Sequence, residues 1–75
     1  MTRRELAVRM DAYAQEKDPW EYRDWLADID ESPVDVLESE LSDEETLGYI
    51  IETFEAYAEE DEEAVEILEA LRGLI

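Results

Sequence analysis

Seventy-five residues allow one small domain, in which only about 60% of the unfolded chain's surface can be buried, so marginal stability is expected. Cysteine and histidine are absent, which excludes disulfides, thiolate or imidazole metal sites, and Ser–His or Cys–His catalysis. Twenty-four acidic residues against six basic ones give a formal charge of −18, yet 45% of the chain is apolar, a share that predicts folding and not disorder.

The charge is unevenly placed. Arg3, Arg4, Arg9, Lys17 and Arg23 lie in the first 23 positions, whereas Asp24 to Leu71 holds 19 acidic residues and no basic one. Self-repulsion over that stretch has to be offset by burial, and salt is expected to stabilise the fold by screening it. No apolar run approaches the roughly 20 residues that span a bilayer, and "MTRRELAVRM" leads into no signal-peptide apolar region. A soluble cytoplasmic protein is the expectation.

Taken in chain order, the start signals predict an all-α bundle of four or five short helices forming a single domain over residues 1–75, with helices at 3–17, 19–30, 33–41, 43–59 and 62–72. Thr2 and Glu5 form a capping box that opens a helix with Leu6, Met10, Tyr13 and Ala14 on one face. In "DPWE", Asp18 is an N-cap, Pro19 occupies the first helical position and Glu21 falls three residues after the cap. The second helix carries Tyr22, Trp25, Leu26 and Ile29 at helical spacing, with Trp25 expected in the core. Trp20 is read either as a staple onto the preceding helix, the weightier reading, or as an exposed aromatic anchor for a partner. In "SPVD", Ser32 and Pro33 open a helix with Val34, Leu37 and Leu41, and in "SDEE" Ser42 caps the fourth helix with Glu45 closing the box.

In the fourth helix Leu47, Ile50, Ile51, Phe54, Tyr57 and Ala58 form one apolar face. An unbroken continuation keeps Val65, Leu68 and Leu71 near that face and puts Asp61 at its centre. A buried carboxylate there without a partner would be costly. A break near Asp61 is the cheaper solution, with Asp61 capping a fifth helix, Glu62 and Glu63 in its first turn and Gly73 as the closing C′ residue. The alternative is an unbroken helix with Asp61 reaching water.

Beside the apolar face lies an acidic stripe of Glu52, Glu55, Glu59, Glu62, Glu63, Glu66 and Glu69, provided the last helices are near collinear. Spacings of three or four residues separate successive charges by about 5–6 Å along the axis. Duplex DNA rises about 3.4 Å per phosphate of one strand, with a larger through-space separation. A ladder of carboxylates can therefore imitate a strand of phosphates. Asp28, Asp30, Glu31, Asp35 and Glu38 are candidates for a second row. Like charges at i,i+4 destabilise a helix by a few tenths of a kcal/mol each, which hints at selection for something other than stability. With no basic residue over 48 positions, a plain solvated face and the functional reading carry about equal weight.

Salt adaptation is another source of acidity. Five arginines against one lysine fit it, but a GC-rich genome gives the same bias, and the uneven charge counts modestly against it. Catalysis is not expected: paired carboxylates have little room for a substrate cleft, and the Glu-x-x-His of di-iron bundles is missing. "DIDESPVDVLES" fails as a calcium loop because Pro33 stands where glycine is needed and Ser39 where the bidentate glutamate belongs. No cofactor and no specific metal site are expected.

The runs "EEDEEAVEILEAL" and "ESELSDEE" in a small helical chain resemble, in composition, the acidic DNA-mimic proteins of phages and mobile elements, which block restriction enzymes, CRISPR effectors or other DNA-binding proteins. The resemblance covers roughly residues 24 to 71 and carries no motif. It implies a non-enzymatic inhibitor in the cytoplasm of a bacterial or archaeal host, occupying the basic channel of a nucleic-acid-binding protein and binding no nucleic acid itself. Its carboxylates would pair with the Lys and Arg that hold phosphates. The alternative is a protein–protein adaptor that binds a partner through an apolar or aromatic helix surface. A homodimer burying Trp20 or the first helix would relieve the small core, though nothing in the sequence specifies it.

Overall fold

Thr2 makes the reciprocal box its sequence implies. Its hydroxyl accepts from the Glu5 N–H at 3.1 Å while its own N–H donates to the Glu5 carboxylate at 3.0 Å. In the computed structural model, which describes residues 1–74, this box opens α1 (Arg3–Lys17). There follow α2 (Pro19–Asp28), α3 (Pro33–Leu41), α4 (Glu44–Ala58) and α5 (Glu62–Arg72). The described residues form an all-α bundle measuring 28 × 25 × 20 Å, and none of its helices is long and apolar enough to cross a membrane.

Three predicted boundaries move, α4 being one residue shorter at each end than 43–59. α2 stops at Asp28, two residues short, with Ile29 extended at φ −99°, ψ 146°. Its last turn has no basic residue, and Asp28, Asp30 and Glu31 crowd the negative end of the helix dipole. Pro33 then holds Ser32 extended, at ψ 136°. Ser42 does not cap α4. Its hydroxyl instead donates back to the Glu38 carbonyl at 3.2 Å, closing α3, and Asp43 becomes the N-cap residue of α4. Asp43 makes no side-chain bond to the backbone and accepts from the Thr46 hydroxyl, so the Ser42–Glu45 box is not formed. Ser32 likewise precedes α3 without a side-chain cap. Gly73 ends α5 as its C-cap in right-handed geometry (φ −67°), its N–H donating to the Glu69 carbonyl at 3.2 Å. It is therefore not the left-handed C′ residue.

α1 is the hub, packing on α3, α2 and α5, while α4 packs on α5 and α3. The core holds Leu6, Ala7, Met10 and Tyr13 from α1, Leu41 from α3, Leu47 and Phe54 from α4, and Ala64, Ile67, Leu68 and Leu71 from α5. No residue of α2 is buried. Trp25 is only half-buried and does not join the core, because α2 packs chiefly against α1 and has no second layer over it.

The chain breaks between α4 and α5. Asp61 takes extended geometry (φ −138°, ψ 122°) and accepts the Glu63 N–H at 3.0 Å as the N-cap of α5. α5 then folds back along α4, so that Arg72 reaches Glu55 at 3.0 Å. On one straight helix those two residues would be about 25 Å apart along the axis.

Candidate functional site

The fold-back decides where the acidic ladder goes. On α4 and at its C-cap, Glu52, Glu55 and Glu59 are exposed, away from the buried Leu47 and Phe54. On α5, Glu62, Glu66 and Glu69 are exposed, opposite the buried Ala64, Ile67, Leu68 and Leu71. The helices are not collinear, so the single stripe becomes two shorter rows, one on each helix, with the Arg72–Glu55 pair bridging between them. Glu63 leaves the row: it is half-buried and lies close enough to Tyr13 and Lys17 to act on both charges.

The second group of carboxylates also divides. Asp35 and Glu38 on α3 share Arg4, at 2.8 and 3.2 Å. Asp28, Asp30 and Glu31 are exposed at the end of α2 and in the link to α3, and form no ion pair among the described residues.

The cations explain the net surface. Arg4 joins α1 to α3, Arg9 joins α1 to α5 through Glu66 at 3.0 Å, Lys17 joins α1 to the break through Asp61 at 3.2 Å, and Arg72 joins α5 to α4. Four of the six basic residues thus work between elements of the fold. They occupy five of the 24 carboxylates and leave the rest without an ion-pair partner among the described residues. Pairs this exposed contribute about 0–1 kcal/mol each, so a competing cation can displace them at little cost.

Asp61 is the best-held acid. The Glu63 N–H, and then Lys17, keep its carboxyl below the usual carboxylate range, and Asp61 in turn raises the Lys17 ammonium. Burial, followed by the Asp61 charge, pushes the Tyr13 phenol up to about 12. The sequence offers no cation near Asp61; Lys17, 44 positions earlier, arrives only through the packing of α1.

The side of the bundle framed by α1, α2, α3 and α4 carries a feature that the linear sequence hides. An open groove of about 690 Å³ runs there, within the range of about 300–1,000 Å³ common for ligand sites. Tyr13, Phe54 and Tyr57 form a packed aromatic floor with ring centroids 5.5–6.0 Å apart. Tyr22 and Trp25 of α2, 5.8 Å apart, form the facing wall. The Tyr22 hydroxyl donates to Asp11, and burial, then that carboxylate, pushes it up to about 12. Asp18, Glu21, Glu40, Glu60 and Asp61 also line the groove, and Lys17 is its one cation. Among the described residues Glu40 has no ion pair or side-chain hydrogen bond, and burial raises its carboxyl above the ordinary value.

Trp20 is not a staple: it is 78% exposed, in a shallow recess with Pro19 and Arg23. Tyr49, 74% exposed among the acidic residues of α4, was not singled out from sequence. Its displacement from the apolar face of Leu47, Ile50, Ile51 and Phe54 was the available signal. Among the described residues no three acidic groups converge as metal ligands would. No family model, curated protein or solved structure matches this chain.

Proposed function

We propose that this chain is a non-enzymatic inhibitor that presents carboxylates in place of nucleic-acid phosphates. Its target would be the basic channel of a DNA- or RNA-binding protein, such as a CRISPR effector or a restriction enzyme. The observation supporting this most strongly is the disposition of charge. Four cations are taken up in ties between elements of the fold, while Glu52, Glu59, Glu62 and Glu69 stay exposed and outside any ion pair among the described residues. Such a surface attracts Lys and Arg over a long range, speeds encounter and discriminates against acidic partners. Glu55 and Glu66 sit in the same rows and can exchange Arg72 and Arg9 for a target's arginines, since exposed pairs are weak. Tyr49 and Trp20 are exposed aromatics of the kind that anchor interfaces.

The test is a salt-titrated pull-down from a bacterial lysate, with duplex DNA as competitor. Nucleic-acid-binding proteins should be retained at about 0.1 M salt, where the Debye length is about 10 Å, and be displaced by DNA. Converting Glu52, Glu59, Glu62 and Glu69 to Lys should abolish retention without loss of helix signal. Partners that resist both salt and DNA, or that survive the four substitutions, would overturn the reading.

A further inference from the structure

The groove between α1, α2, α3 and α4 has an independent use. We infer that it is a docking site for a basic amphipathic helix of a partner protein, with apolar side chains on the aromatic floor and a Lys or Arg at Glu40. Three observations choose this occupant. The groove is lined by the buried aromatics Tyr13 and Phe54 and by the exposed acids Asp18, Glu21 and Glu60, so the complement is an apolar face flanked by positive charge. Its one cation, Lys17, is already held by Asp61, leaving Glu40 desolvated without a counter-charge. Helices frame the groove and offer no strand edge, so an occupant must satisfy its own backbone hydrogen bonds, which a helix does. α2 forms one wall without burying any residue in the core, so it can adjust around a guest without disturbing the rest of the fold.

The probe is a synthetic Leu/Lys peptide of helical periodicity, roughly 15–18 residues or about 25 Å long as a helix. It is compared with a peptide of equal charge bearing Ser at every Leu position. With Trp20→Phe, Trp25 becomes the single tryptophan reporter. The Leu/Lys peptide should bind with one-to-one saturation, shift Trp25 emission to the blue and bind at least about tenfold more tightly than its Ser counterpart. Thr53→Phe, at an exposed position lining the groove, should abolish the shift. Glu40→Gln should weaken binding by about tenfold or more, the scale of a hydrogen bond to a charged group. Circular dichroism checks that both variants are folded. The four Lys substitutions at Glu52, Glu59, Glu62 and Glu69 should leave the Trp25 shift in place, separating this site from the phosphate-mimicking rows. Equal affinity for the two peptides would overturn the inference, as would Leu/Lys binding indifferent to Thr53→Phe. So would sedimentation of the free protein as a dimer with Trp25 buried, which would make a second copy the occupant.

Discussion

α2 and α5 are close in length and opposite in use. α5, with 11 residues, buries Ala64, Ile67, Leu68 and Leu71 and contacts both α1 and α4. α2, with ten residues, carries both tryptophans and buries nothing. Large aromatic side chains are therefore not enough to bury a helix. What separates the helices is the number of neighbours: α5 is covered on two sides, whereas α2 lies on α1 with its far side open to the groove. In so small a domain, that leaves α5 as structure and α2 as surface.

The largest effect expected from this contrast is on global stability. Ile67 is fully buried, so Ile67→Ala should cost about 2–5 kcal/mol, enough to unfold much of a marginal domain. Leu26, half-buried on α2, should cost about 1 kcal/mol or less when changed to Ala, because it loses less transfer free energy and leaves an open surface in place of a closed cavity. Urea midpoints of the two variants check this. Equal losses would mean that α2 is an integral part of the core.

A middle-sized effect tests the hinge that lets α5 fold back. Asp61→Ala removes the N-cap of α5 and leaves Lys17 without its partner. A cap of this type is worth about 0.5–2 kcal/mol. Asp61→Asn should recover most of the loss, because an amide oxygen still accepts the Glu63 N–H. Thermal melts of the two variants separate capping from charge: a loss shared equally by Asn and Ala would assign the effect to the Lys17 pair.

These two elements also mark what was legible in the sequence. Local signals held where the chemistry is local: the Thr2–Glu5 box, Asp18 before Pro19, and the break at Asp61 all form. They failed where two residues competed for one role, since Ser42 turned back to close α3 and left the cap position to Asp43. Helical spacing picked out the apolar side of α2, but burial depends on what packs over it, so Trp25 was misplaced. For the candidate site, the periodicity put Glu52, Glu55, Glu59, Glu62, Glu66 and Glu69 at exposed positions, but it also put Glu63 in the row, where the fold half-buries it beside Tyr13 and Lys17. It could not relate α4 to α5, because their docking is a tertiary event in which Ile67 and its neighbours are buried. The groove is assembled from four helices and has no linear signature.

Alkaline pH provides a further comparison, between an aromatic in the core and one on the open wall. Tyr13 and Tyr22 are both raised to about 12. Their contribution to stability is complete below the ordinary phenol value of about 10 and is lost as pH rises through about 12. Phenolate absorbance and far-UV circular dichroism should thus change together over that interval. In Tyr22→Phe the transition should persist, now reported by Tyr13. A chain that stayed helical while both phenols ionised would show that neither ring is held by the fold.

The smallest effect concerns Glu40 and runs opposite to the usual carboxylate behaviour. Burial raises its carboxyl above the ordinary 4.5, so the folded chain binds this proton more readily than the unfolded chain. The stabilisation is complete below 4.5 and disappears as pH rises through the higher folded value. Asp61 acts with the opposite sign. Its carboxyl lies below 3.8 in the fold, so its contribution is present above that value and lost as pH falls through the folded one. Stability should therefore increase as pH is lowered from neutrality toward 4.5, then decrease below 3.8. Release of general repulsion among the other carboxylates contributes to the first limb, so the informative quantity is the difference between the parent chain and Glu40→Gln. The variant should be the more stable at neutral pH, and the gap should close below 4.5. A gap independent of pH would mean that Glu40 is not desolvated in the groove, and α2 would then be a more open wall than its packing on α1 implies.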